Sequence, residues 1–300
     1  MFMQKMNSGL ILFNKPSGIT SFDALRDIKR ALGTGKVGHT GTLDKFASGL
    51  LIVLVGRALK LSQWFSNCDK KYIGKICFGA ETETLDPEGE IIAEAQVPAR
   101  EEVENVLSQF TGEIMQAPPA YSAIHINGKR ASALARSGEM PEMKKRPVTV
   151  HELKLLSWQP PFADIFVHCS SGTYIRSLAR DIALAAGSRG HLNELVRKQV
   201  AGFELGGRHE KDGEFNLTSI DKNVISALGM SWFEVDRAEV EYIKHGKPLA
   251  AIMEGKKSFP LCSSCLCADN QQKHFAVFCE ETLVAIVEEN DGKWKYGCVL

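Results

Sequence analysis

Apolar positions recur along the chain in short blocks of both strand and helix period. Gly9–Lys15 is an apolar run stopped by Pro16 and predicts a strand. SFDALRDIKRALG sets Phe22, Leu25, Ile28 and Leu32 at helical spacing, with Ser21 at or near the N-cap and Gly33 as the stop. Leu50–Val55 is a strand-sized, wholly apolar run, and Ala58–Phe65 fits a short helix. Tyr72, Gly74, Ile76 and Phe78 alternate with Ile73, Lys75 and Cys77, the pattern of a half-buried strand. Asp86-Pro87-Glu88-Gly89 reads as a turn and Glu90–Ala95 as the returning strand of a hairpin. Glu101–Phe110 is amphipathic through Val103, Val106, Leu107 and Phe110. Arg146–Trp158 and Ala163–Ser170 predict strands and Tyr174–Ala186 a helix. Beyond a polar, helix-compatible Asp212–Met230, short strands are expected at Pro248–Ile252, His274–Phe278, Thr282–Glu288 and Trp294–Val299.

Strands outnumber helices without the regular alternation of a doubly wound sheet, so the expected class is α+β with a mixed, mostly antiparallel sheet. The chain has 300 residues, and single cores tend to split past about 250, so two domains are expected, 1–228 and 229–300. No apolar run approaches the roughly 18 residues of a membrane span. The N-terminal stretch lacks the apolar core and cleavage site of a secretory signal, and a cytoplasmic location is expected.

The eight cysteines are then expected to be reduced thiols. Cys262, Cys265 and Cys267, with Cys279 or His274, suggest half of a zinc site, but the second half fits no standard spacing, so no metal is expected. The formal net charge is zero, yet it is unevenly distributed. Asp23–Lys75 holds ten Lys or Arg against four acids, Lys129–Lys154 seven against three, and Glu81–Glu104 nine acids against one arginine. Any one such run is commonly a solvated face; basic segments beside candidate chemistry suggest a phosphate-bearing partner.

Gly33–Gly38 matches G-x-G-x-x-G but follows a predicted helix, without the second strand and its acidic residue, so the dinucleotide reading fails. Val37 spoils the Walker pattern. There is no G-x-S-x-G, no H-E-x-x-H and no paired carboxylate near Asp44. What remains is GHTGTLDKFASGLL, Gly38–Leu51, with Asp44 as a solitary carboxylate in a loop that glycines open to close approach. A cap or turn role for Asp44 is the competing reading, and a chain of that kind would bind RNA without catalysis.

GHTGTLDKFASGLL, DKKYIG, PPAYSAIHINGKRASALARSG and CSSGTYIRSLARDI, in that order, resemble the TruB family of tRNA pseudouridine-55 synthases. The likeness runs from LILFNKPSGITS to GHLNELVRKQVAGFEL, roughly the first two hundred residues. It implies a pseudouridine synthase catalytic domain followed by a small PUA-like β-barrel. Asp44 would be the catalytic aspartate, Tyr72 the active-site tyrosine and Arg176 the arginine that pairs with the aspartate. His39 would press into the T loop where the target base has left, and Leu195 would wall the pocket. Lys15 lies in the N-terminal motif, with a structural role or an RNA contact both open. Lys45 stands where the family usually has proline, and Ser132 where relatives often carry an aromatic residue.

The implied reaction breaks the N1 glycosidic bond, turns the uracil and joins C5 to the same ribose carbon. It neither oxidises nor hydrolyses, so the resemblance implies no cofactor. The expected partner is the T-arm of tRNA, with no membrane and no protein partner required, and the chain is expected to be a monomer. Lys36, Lys60, Lys71, Arg136, Lys144 and Arg146 are the cations expected to meet phosphates, which makes binding salt-sensitive.

Overall fold

The computed structural model describes residues 8–205, 215–253 and 273–300. Strand β1 (Gly9–Lys15) leads into helix α1 (Ser21–Leu32), then β2 (Val37–His39) and β3 (Ser48–Val55). The cap of α1 is Thr20, one residue before Ser21. Its hydroxyl accepts from the Asp23 amide while the Asp23 carboxylate accepts from the Thr20 amide, and Gly33 closes the helix in the left-handed conformation. Ser21 is left to bond both the amide and the carbonyl of Leu43, each at 2.9 Å, which ties the helix start to the glycine-rich loop.

Helix α2 (Ser62–Ser66) precedes β4 (Lys70–Phe78), the hairpin β5 (Ala80–Thr82) and β6 (Ile91–Glu94), helix α3 (Arg100–Leu107) and β7 (Gly112–Gln116). A small hairpin, β8 (His125–Ile126) and β9 (Lys129–Arg130), carries α4 (Ala131–Arg136). Then follow β10 (Arg146–Gln159), β11 (Phe162–Cys169), α5 (Ile175–Ala185), β12 (Gly190–Val200) and β13 (Phe203–Glu204).

Among the described residues the main sheet has nine strands, in the order β1-β3-β12-β4-β11-β10-β7, with β2 on β3 and β13 on β12. Every pair is antiparallel except β3 with β12. The class is therefore α+β with a mixed, mostly antiparallel sheet, as the strand pattern predicts. Helices α1, α3 and α5 cover one face through Leu25, Ile28, Val103, Leu178 and Ile182, packed with Leu51, Val53 and Val55 of β3. Leu50, Ile52 and Leu54 point the other way, into a second core shared with Ala276, Phe278 and Ile286. Burial on both faces is why this strand reads as an unbroken apolar run.

The C-terminal part carries α6 (Lys222–Ala227), β14 (Ser231–Glu234), α7 (Arg237–Lys244), α8 (Ala250–Met253), β15 (Lys273–Cys279), β16 (Thr282–Asn290) and β17 (Lys293–Val299). Its strands form the sheet β14-β15-β16-β17. Among the described residues β14 and β17 are not paired with each other, so this sheet is open and not a barrel. Periodicity predicts the strands, but closure depends on register and shear between them. The strand expected at Pro248–Ile252 is instead a short turn running into helix α8, which takes its last three residues, with Leu249 and Ile252 buried in a third core. A five-residue apolar run does not separate strand from helix by period, and two adjacent alanines favour helix. The shared core crosses residue 229, and Lys60 Nζ donates to the Val299 carbonyl at 2.7 Å. No helix among the described residues is long and apolar enough to cross a membrane.

Candidate active site

The loop between β2 and β3, residues 40–47, is held from both sides. On one side Gly18 N donates to Lys45 O (2.8 Å) and Ser17 Oγ to Phe46 O (2.7 Å). Lys15, fully buried, donates to the Pro16 and Ile19 carbonyls at 2.9 and 2.8 Å. Burial pushes its ammonium down to about 8, Asp44 pulls it up and Arg197 pushes it down. Its contacts are those of a structural residue that shapes the turn before α1. On the other side Arg197 of β12, also buried, donates to the carbonyls of Leu50 (2.7 Å), Gly41 (3.0 Å) and Thr42 (3.4 Å).

Held in this way, Asp44 lines a cavity of about 510 Å³, with 38% of its side chain exposed. Tyr72, Tyr121, Arg130, Ser132, Arg136, Thr173, Tyr174, Arg176, Leu195 and Arg197 line the same cavity. Arg176 enters from the first turn of α5 and lies between two carboxylates. Its Nη2 donates to Asp44 Oδ1 at 3.3 Å, and Nε is 2.9 Å from Asp44 Oδ2, a charge contact whose N–H does not align with the oxygen. Nη1 donates to Asp86 Oδ2 (3.1 Å) and to the Thr84 carbonyl (2.8 Å), and Nη2 also to the Tyr121 carbonyl (3.0 Å). Asp86 is fixed in turn by the Thr84 hydroxyl and the Glu88 amide, both bonding Oδ1.

One guanidinium shared by two carboxylates does not neutralise both. Burial pushes the Asp44 carboxyl above its ordinary value; Arg176 pulls it down, and Asp86 and Glu88 push it up. Lys45, in the position after Asp44, pairs at the surface with Glu88 at 3.1 Å. Tyr72 sits at 7% exposure on β4, its phenol pushed up to about 12, chiefly by burial. At neutral pH it therefore stays protonated, a donor and a ring face. Leu195 of β12 pairs with Gly74 in register and is buried against the same cavity.

The tertiary fold thus brings Asp44, Tyr72, Arg176, Leu195 and Arg136 to one cavity. Arg146 stands beside it: its guanidinium donates to Gly172 O at 2.6 Å and lies 5.2 Å from the Tyr174 ring centroid. His39 belongs to β2, just ahead of the loop, and does not line the cavity; its Nδ1 is buried without a partner, and burial, then Arg197, pushes its pKa down. Lys36 is exposed just before β2, and Lys144 is exposed before β10. Lys71 alternates with Tyr72 along β4 and faces the other side of the sheet, and Lys60 is engaged with Val299. Cys262, Cys265 and Cys267 lie outside the described residues, while Cys279 is a free thiol and His274 Nδ1 accepts from Trp64 Nε1 at 3.3 Å.

The model described as "TruB family pseudouridylate synthase (N terminal domain)" matches residues 29–175. The tRNA pseudouridine synthase B of Francisella philomiragia subsp. philomiragia is 38% identical over 291 residues, 95% of this chain and 92% of that protein. That of Borreliella burgdorferi (strain ZS7) is 41% identical over 247 residues, 80% of this chain and 86% of that protein. This chain belongs to the TruB family. That of Zymomonas mobilis subsp. mobilis is 48% identical over 201 residues, 65% of this chain and 66% of that protein. A chain in the solved structure titled "Crystal Structure of a Cbf5-Nop10-Gar1 Complex" shares the fold, with a TM-score of 0.66 at 22% identity over 95% of this chain and 79% of that one.

For this TruB chain, sequence reasoning missed four side chains at the site. Asp86 reads as an ordinary turn aspartate in DPEG, and Tyr121 as one member of a loop motif. Arg197, in VRKQV, has no spacing that separates it from a surface charge. Lys70 is buried at the cavity, its ammonium donating to the Ser66 and Cys68 carbonyls, yet in DKKY it looks like its half-buried neighbour Lys71. None of the four stands out in the sequence: Asp86, Tyr121 and Arg197 reach the site through Arg176 or the loop carbonyls, far away in the chain, and the burial of Lys70 is set by the packing around it.

Proposed function

We propose that this chain converts uridine 55 in the T loop of tRNA to pseudouridine, with Asp44 as the essential carboxylate. The reading rests above all on Asp44 held at a cavity by Arg176, with Tyr72 and Leu195 beside it. Membership of the TruB family supports uridine isomerisation in tRNA; position 55 and the residue roles are the proposal's own. A cavity of about 510 Å³ suits one flipped nucleotide. Extrusion of the base costs a few kcal/mol of stacking, which His39 offsets by entering the vacated position in the T loop.

Asp44 reacts as the carboxylate, as nucleophile or as stabiliser of a ribose-derived intermediate. Arg176 keeps it ionised and aimed, and the charge it shares with Asp86 leaves the carboxylate incompletely neutralised and so more reactive. Tyr72 stacks on the uracil and donates its hydroxyl proton, and Leu195 closes the apolar wall. Arg136, Arg146, Lys36 and Lys144 meet tRNA phosphates. Residues 1–228 form the catalytic domain and 229–300 a PUA-like RNA-binding unit. The enzyme works as a cytoplasmic monomer that needs no cofactor and no protein partner.

The test is release of tritium from a tRNA transcript labelled at uridine C5, with wild type beside folded Asp44→Ala. Release by the wild type alone supports the reading. No release from either, with tRNA still bound, points to a binding protein, and equal release from both removes Asp44 from its role.

A further inference from the structure

We infer that Asp69, His151 and His168 form a binding site for one divalent transition-metal ion of the zinc class, separate from the catalytic cavity. His168 lies on β11 and pairs in register with Lys71 of β4. Directly opposed residues share a face, and Lys71 alternates with Tyr72, so His168 points away from the catalytic cavity. Asp69 immediately precedes β4, two residues before Lys71, and reaches the same face. His151 falls in the β-bulge of β10, between the pairs Val150↔Cys169 and Glu152↔His168. The bulge aims the extra residue's side chain beside its neighbour across the strands.

The three donors converge on one point. Asp69 Oδ2 lies 3.1 Å from His151 Nε2 and 4.0 Å from His168 Nε2, and all three ligand atoms lie within 4.8 Å of one another. Zinc bound at about 2.0–2.1 Å in a tetrahedron separates its donors by about 3.3 Å, so small side-chain rotations complete the set. The two imidazole rings are 4.7 Å apart between centroids, brought together by the bulge. Both present Nε2 to one carboxylate oxygen, and a single cation between them satisfies all three groups. Two imidazoles and a carboxylate suit zinc, cobalt or nickel better than calcium or magnesium, which prefer oxygen donors throughout. Side-chain exposures of 38%, 26% and 42% for His151, His168 and Asp69 give an ion a path in and leave a fourth position to water. The bound ion would clamp β10 and β11 to the start of β4, next to Lys70 on the cavity side.

The experiment is a titration of the full chain with Co²⁺, read by its visible absorption and by displacement with Zn²⁺. It is repeated in His168→Ala, in Asp69→Asn and in a variant carrying Cys262→Ser, Cys265→Ser and Cys267→Ser, each checked for folding by circular dichroism. The expected result is one equivalent bound in wild type and in the cysteine variant, without thiolate charge-transfer absorption, and an affinity at least about tenfold weaker in the other two. Zinc should raise the melting temperature of wild type and not of His168→Ala. Unchanged affinity in His168→Ala and Asp69→Asn, cobalt absorption that vanishes in the cysteine variant, or no binding to wild type would each overturn the assignment.

Discussion

Asp86 and Arg176 are buried against each other, Oδ2 of one 3.1 Å from Nη1 of the other, while the same guanidinium reaches Asp44 through its other edge. A turn residue 42 positions after Asp44 is thereby joined to the candidate nucleophile. Breaking a buried pair strands the remaining charge, so Asp86→Ala should cost about 3–5 kcal/mol of stability. Asp86→Asn, which keeps a hydrogen bond, should cost about 1–3 kcal/mol. Both should lower kcat at least about tenfold, with the Kd for tRNA nearly unchanged. Urea unfolding and single-turnover assays measure these, and wild-type stability in Asp86→Ala would mean that the pair does not form in solution.

Asp44→Asn should separate stability from activity. Burial raises the folded-state pKa of Asp44, so the folded protein binds that proton more tightly than the unfolded chain does. The stabilisation from protonating Asp44 is complete below the ordinary 3.8 and is lost as pH rises through the raised folded value. At neutral pH Asp44→Asn should therefore melt no lower than wild type, and its relative advantage should shrink as pH falls toward 4. Activity runs the opposite way: wild-type turnover falls as pH drops through the raised pKa, and the variant loses on the order of 10⁴ or more at every pH. Melting curves and tritium release across pH 4–8 test both.

Arg136 and Lys60 should differ in their effect on salt dependence. Arg136 lines the cavity, whereas Lys60 Nζ is engaged with the Val299 carbonyl. Each phosphate contact contributes roughly 0.7–0.9 to the slope of log K against log salt. Arg136→Met should reduce the slope by about that amount and Lys60→Met should leave it unchanged, as read from filter binding at several salt concentrations. An equal loss in both would give Lys60 the phosphate contact expected from its sequence.

Gly49→Ala should be among the most damaging conservative changes. Gly49 sits at φ +101°, and an added Cβ would lie 2.3 Å from the Arg197 carbonyl oxygen, where only backbone can yield. The parallel pairing of β3 with β12 fails there, and with it the Arg197 bonds to the loop. A loss of roughly 2–4 kcal/mol is expected from strain and overpacking together. Chemical denaturation measures it, and a loss below about 1 kcal/mol would show that the strand shifts without cost.

By itself the sequence determined the local elements and the identities of the chemical groups. The helical spacing of Phe22, Leu25, Ile28 and Leu32, the alternation through Tyr72–Phe78 and the apolar run at Leu50–Val55 are set by neighbours within a few residues, where period and propensity act. The four motifs, met in order, likewise carried the family and singled out Asp44, Tyr72 and Arg176. β12 was illegible: Glu194, Arg197, Lys198 and Gln199 disguise a central strand, and of these only Arg197 lines the site, while Glu194 pairs with Lys75 at the surface. Only the tertiary structure decided that Asp86 shares Arg176 with Asp44, that Arg197 holds the loop, that Lys60 is engaged with Val299 and that Lys71 lies on the sheet face opposite Tyr72. The open C-terminal sheet and the convergence of Asp69, His151 and His168 were decided there too. Each depends on strand register and on side chains meeting across tens of residues, and a charged side chain looks the same in sequence whether its partner is solvent or a buried carboxylate.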